Sequence, residues 1–193
     1  MENPNSEFVE QANPHSWFLV ADQLHTQALA IYGGRGQRFL THYKPGNKEV
    51  RRDTSDNSVF LLAGFALENA IKGFLVYENP DWIANGHLSR ELKSHSLAEL
   101  KDKSNLIPYP IKYRYVLEGF EDGLEGWARY PCALTAAKMK KEGILSDRMW
   151  AGYQTLMRAY GNKMIKLLAA GWNDPYGDLQ HFKISEGFLD MCD

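Results

Sequence analysis

Apolar residues along the chain recur mostly three and four positions apart, the period of helices that bury one face. Asn13-Pro14-His15-Ser16 sets a capping residue before an early proline, and Trp17, Val20, Leu24, Ala28 and Ile31 then predict a first helix. Gly33, Gly34 and Gly36 supply its end. Phe39, Leu40 and Tyr43 are spaced to continue a helix beyond that interruption, and residues 44–56 read as a loop. A second helix is predicted over residues 59–77, capped within Ser55-Asp56-Asn57-Ser58 and stopped by Asn79-Pro80. Its apolar residues run nearly all the way round, as in a helix enclosed by other helices or by a second subunit. Glu68 and Lys72 interrupt that surface, four apart with the acid first, the favourable order for an ion pair.

Ser96-Leu97-Ala98-Glu99 has the spacing of a capping box, in which the two side chains satisfy each other's backbone amides, and predicts a short helix over residues 97–104. Tyr113, Val116, Leu117, Phe120, Leu124 and Trp127 mark a fourth helix that ends ahead of Pro131. Gly119, Gly123 and Gly126 lie toward one side of it, where another helix can approach closely. Residues 132–145, with Lys138, Lys140 and Lys141, read as a basic connector. Ser146-Asp147 then caps a long last helix, patterned from Met149 and Trp150 through Tyr153, Leu156, Tyr160 and Met164 to Leu168, and ended by Gly171. The expected architecture is all-α, an up-and-down bundle of about five helices forming one domain over residues 15–170. A polar lead (1–14) precedes it, and a tail (171–193) with an Asp174-Pro175-Tyr176-Gly177 turn packs on it or stays partly flexible.

With 193 residues, 44% of them hydrophobic, the chain can close a core of its own. The net charge of −2 creates no global field toward nucleic acid or an anionic membrane, so such binding needs a local patch. The longest apolar runs, such as 59–63 and 167–170, fall short of the roughly 20 residues that span a bilayer, so no membrane helix is expected. The acidic amino-terminal segment lacks the basic start of a secretory signal, which points to a cytoplasmic location. Cys132 and Cys192 have no metal-binding spacing and are expected as reduced thiols. His15, His25, His42, His87 and His181 are scattered, so neither a metal site nor a cofactor is expected.

Residues 60–75 with Glu68 and Lys72, the helix start Lys93-Ser94-His95-Ser96-Leu97 and the helix end Arg129-Tyr130-Pro131 together resemble the HEPN superfamily of small helical bundles. The resemblance covers about residues 15–170. It implies a homodimer and a role as a metal-independent ribonuclease or a toxin or defence component, with a cognate protein partner. Other members are inactive partners or nucleotide-binding modules. Arg90-Glu91-Leu92-Lys93-Ser94-His95 fits the shortest form of the family's Arg-to-His ribonuclease signature, with acidic Glu91 where nuclease members often carry an uncharged polar residue.

In that reading His95 moves a proton at the RNA 2′-hydroxyl or leaving oxygen, since imidazole titrates near neutrality, and Arg90 holds the scissile phosphate. Lys93 attracts the backbone, while Glu68, Lys72, Arg129 and Tyr130 form a polar pocket floor. The same residues also read structurally, with His95 at a helix start, Arg90 a solvated loop residue, Glu68 and Lys72 an internal ion pair and Tyr130 a helix-end core residue. In a continuous helix, Arg90 and His95 would point about 140° apart, so convergence requires a bend or a second subunit. Tyr32-Gly33-Gly34-Arg35-Gly36-Gln37-Arg38 is glycine-rich like a phosphate loop but lacks the Gly-Lys-Ser/Thr that completes one and does not follow a predicted strand.

Overall fold

The computed structural model describes residues 4–109, 111–126, 128–130, 135–136, 145–184 and 188–190. Among them are six α-helices and two small antiparallel hairpins, so the protein is mostly helical and not all-α as the periodicity predicts. The helices are α1 (Pro4–Ala12), α2 (Pro14–Gly33), α3 (Asp56–Glu78), α4 (Leu97–Asp102), α5 (Arg114–Glu125) and α6 (Asp147–Ala170). The hairpins are β1 (Phe39–Lys44) with β2 (Lys48–Asp53), and β3 (Trp172–Asn173) with β4 (Leu179–Gln180).

The amino-terminal residues, polar on balance, form α1 because Val9 and Ala12 are buried and Phe8 packs against the core, while Glu7, Glu10 and Gln11 stay exposed. Asn13 then caps α2, its side chain accepting from the Ser16 amide at 2.9 Å, with Pro14 in the first turn. The Trp17 indole donates to the Ala12 carbonyl at 3.0 Å and ties the two helices at their junction.

Phe39, Leu40 and Tyr43 lie on a strand, not on a helical continuation, and part of the expected 44–56 loop is its partner strand. The Pro45-Gly46-Asn47 turn makes the difference, with positive φ at Gly46 (84°) and Asn47 (58°).

Helix α3 forms the centre, and most of its side chains are buried on every side. It is long and apolar enough to cross a membrane by composition, contrary to the expectation from its short apolar runs, yet 78% of its most apolar window is buried inside the protein. Phe18 of α2 meets Phe74 of α3 edge-on at 5.4 Å, and Phe74 meets Tyr160 of α6 edge-on at 5.8 Å. Lower in the core, Phe60 packs on Phe120 and Phe120 on Tyr153, with centroids 5.1 and 5.3 Å apart. Burial pushes the Tyr160 phenol well above its ordinary value. His25, fully enclosed, lies 2.7 Å from the Tyr153 hydroxyl.

The expected close approach at Gly119 is real: a Cβ there would lie 2.2 Å from the Met149 methyl of α6. The tail packs on the helices. His15 stacks on Phe182, Phe18 on Phe188, and the Leu189 amide donates to Asp22 at 2.8 Å. Asp174 holds the β3–β4 turn by accepting the amides of Tyr176 and Asp178. The basic connector with Lys138, Lys140 and Lys141 lies mostly outside the described residues, as do Pro131, Cys132 and Cys192.

Candidate functional site

Just past the middle of α3 its apolar surface is broken by a buried charge pair. Glu68 and Lys72 are 5% and 4% exposed, and the Lys72 ammonium donates to Glu68 Oε1 at 2.6 Å. One helical turn brings the two side chains together, as their spacing predicts. The ammonium also lies 5.9 Å from the centroid of the Trp17 ring, so an aromatic face helps to offset its lost hydration.

The second carboxylate oxygen reaches outward. Glu68 Oε2 lies 3.0 Å from His95 Nδ1, while the His95 side chain is 61% exposed. A carboxylate paired with an ammonium only accepts, so Nδ1–H donates to it and Nε2 remains the free lone pair of the neutral ring. Lys72, Glu68 and His95 therefore form a chain of polar contacts from the interior to solvent.

His95 lines a groove of about 530 Å³ between α3, the α3–α4 connection and α5. Phe65 and Leu124 supply apolar wall, Lys93 and Arg129 supply cations, and Glu99 and Glu121 supply acids. The connection holds its shape through the short 3₁₀ turn Arg90–Lys93, which buries Leu92 and is capped by Ser89, whose hydroxyl accepts from the Glu91 amide. Beyond it Ser94 is extended, giving the bend that a convergence of residues 90 and 95 requires. Arg90 nevertheless stays exposed on the turn and does not line the groove. Its neighbour Glu91 pairs with Lys103, whose hydrogen bond holds that carboxyl below the usual range.

The capping box is only half formed. Ser96 accepts from the Glu99 amide, but the Ser96 amide donates to Ser94 Oγ at 3.2 Å instead of to the Glu99 side chain. Glu121 of α5 takes a capping role in its place, accepting from the Ser96 hydroxyl and the Ala98 amide at 3.1 Å each. Sequence spacing carries no sign of this contact, because the residues involved are more than twenty positions apart.

Arg129 and Tyr130 follow α5, with the Arg129 guanidinium 5.9 Å from the centroid of the Tyr130 ring. Arg129 lines the groove, whereas Tyr130 is 44% exposed and does not. Of the residues singled out from sequence, the fold thus gathers Lys93, His95 and Arg129 at one opening, with Glu68 and Lys72 behind it, and leaves Arg90 and Tyr130 aside.

The glycine-rich segment is occupied by its own contacts. Arg35 donates to Asp56 at 2.7 Å, and the Gly36 amide, which a phosphate would seek, donates to Asp53. No cluster of three or more His, Cys, Asp or Glu side chains arranged to hold a metal ion occurs among the described residues.

No protein-family model matches the chain, and no curated protein or solved structure does either.

Proposed function

We propose that this chain binds RNA in the His95 groove and cleaves it, with protein side chains doing the proton transfer and the charge stabilisation. The observation that carries the reading is the Glu68 carboxylate, held by buried Lys72 on one oxygen and by exposed His95 on the other. A carboxylate behind an imidazole fixes its orientation and tautomer and stabilises the imidazolium that forms when it accepts a proton. The HEPN resemblance supports the same reading, with RNA as substrate and a homodimer as the assembly.

In this mechanism His95 Nε2 takes the proton of a ribose 2′-hydroxyl. The 2′-oxygen attacks the adjacent phosphorus, and the bond to the 5′-oxygen breaks. That oxygen takes a proton from water, leaving a 2′,3′-cyclic phosphate and a 5′-hydroxyl. Lys93 and Arg129 hold the phosphate oxygens as charge grows on them, and Arg90, outside the groove, adds attraction at longer range.

A second reading has a specific observation behind it: Glu99 and Glu121 also line the groove and weaken its positive potential. On that reading the protein is a non-catalytic module that takes a nucleotide or other small ligand there.

Cleavage of a mixed RNA pool in EDTA by equally folded wild type and His95→Ala separates the two. Loss of wild-type cleavage in the variant is the expected result. A wild type that cleaves nothing favours the binding module, and equal cleavage by both proteins removes His95 from the chemistry.

A further inference from the structure

The β1–β2 hairpin buries neither of its faces. All six residues of β1 are exposed, and only Val50 and Asp53 of β2 are partly covered. Residues 38–53 carry five Arg or Lys against two acids, in a chain whose net charge is −2. The charge is also sorted by face. Through the pairings Leu40↔Arg52, His42↔Val50 and Lys44↔Lys48, the alternation of a strand puts these six residues on one side, without a carboxylate. Glu49 and Asp53 fall on the other side, where Arg51 lies 3.6 Å from the centroid of the Phe39 ring.

Lys44 stands directly opposite Lys48, a like-charge pairing that weakens an antiparallel ladder. A two-stranded ribbon is marginal on its own, and this one carries its repulsion at the tip, where a polyanion would relieve it. The base is firm: Asp53 accepts from Gly36 and Ser55, and Thr54 donates to the Arg38 carbonyl at 3.1 Å. The result is a ribbon anchored at its root and cationic along one exposed face.

We propose that this face is a second contact for the RNA strand, binding its phosphate backbone without reading base sequence. The proposal rests on the RNA reading of the His95 groove and extends the footprint of the same ligand. Along α3, Asp56 beside the hairpin root and Glu68 behind the groove are separated by about 18 Å of helix rise, so only a strand of several nucleotides reaches both. Residues on one face of a strand repeat about every 7 Å, so Arg52 lies about 14 Å along β2 from the cross-strand pair Lys44 and Lys48, and a backbone that follows the ribbon meets cations at both places.

The test is fluorescence anisotropy with a labelled single-stranded RNA of about 20 nucleotides across a salt series. It compares wild type, the hairpin variant Lys44→Glu/Lys48→Glu and the control Lys163→Glu/Lys166→Glu on α6. The hairpin variant is expected to bind at least about tenfold more weakly, with a log–log salt slope smaller by about 1.4 for two lost phosphate contacts at about 0.7 each. The control is expected to bind within about twofold of wild type. Equal loss in both variants, or no loss in either, overturns the proposal, as does tight binding to phosphatidylserine vesicles with none to RNA. Cleavage of a dinucleotide, too short to reach the hairpin, separates the two readings. Wild type and hairpin variant should cut it equally, and hairpin-dependent binding by a wild type that cuts nothing overturns only the catalytic reading.

Discussion

Glu121 of α5 accepts the backbone amide of Ala98 at the start of α4, with 3.1 Å between the heavy atoms. The carboxylate thereby joins two helices across one wall of the groove and lies at the positive end of a helix dipole. Glu121→Ala is expected to lower stability by about 1–2 kcal/mol, the range for losing a helix cap. Urea unfolding followed by circular dichroism measures it, and a midpoint unchanged from wild type would show that the contact contributes nothing net.

The buried pair separates stability from chemistry. Glu68→Leu alone strands the Lys72 ammonium and should cost about 3–5 kcal/mol, whereas Glu68→Leu/Lys72→Met should recover most of that loss. RNA cleavage should not recover with it, because His95 has lost the acceptor at its Nδ1. A double variant that regains both fold and cleavage would reduce Glu68 to a packing residue.

His95→Ala should lower cleavage by about 10²–10⁴-fold, the usual contribution of a positioned acid or base. The change lies at an exposed side chain, so the thermal midpoint is expected to stay within a few degrees of wild type. Single-turnover rates on a defined RNA, with both proteins at saturating concentration, keep a binding defect out of the comparison.

In the core, a Cβ at Gly73 would come within 2.4 Å of the Phe18 ring, which is itself fixed between Phe74 and Phe188. Gly73→Ala is therefore expected to destabilise by about 1–3 kcal/mol through overpacking, although alanine is the better helix former. Phe74→Ala should cost more, about 3–5 kcal/mol, by opening a cavity where three helices meet. Denaturant midpoints rank the two.

At the hairpin root, the Ser55 hydroxyl and the amides of Gly36 and Ser55 hold the Asp53 carboxyl below its ordinary value of 3.8. A depressed folded-state value gives stability that is present above the unfolded value and fades as pH falls through the folded one. The protection factors of the Gly36 and Ser55 amides against hydrogen exchange, taken relative to the intrinsic rate at each pH, should accordingly fall below about pH 3.8, and Asp53→Asn should remove that pH dependence.

The helices were legible because each buries a stripe: Trp17 to Ile31 and Met149 to Leu168 declare a period that packing then uses. The first hairpin was not, because neither face is buried and Phe39 to Asp53 therefore shows no apolar alternation. Its one local signal is Pro45-Gly46-Asn47, between a stretch rich in strand formers and a polar one. Helix α1 has a similarly weak pattern, since Val9, Ala12 and the partly buried Phe8 are its inward residues. For the groove, the Glu68–Lys72 spacing and the position of His95 before α4 were readable. The contact of Glu121 was not, because it depends on how α5 docks against the start of α4, whereas the place of Arg90 outside the groove matches the solvated-loop reading of that residue.

The tail contacts also bear on the order of assembly during synthesis. Phe18 leaves the ribosome some 170 positions before Phe188, which stacks on it, and Leu189, whose amide binds Asp22 of the same helix. Helices α2 and α3 can pair early, but an apolar strip of α2 stays bare until that far segment arrives. Packing of α2 therefore closes with the contacts of Phe188 and Leu189, and a nascent chain halted after α6 would display an apolar surface that the folded protein hides.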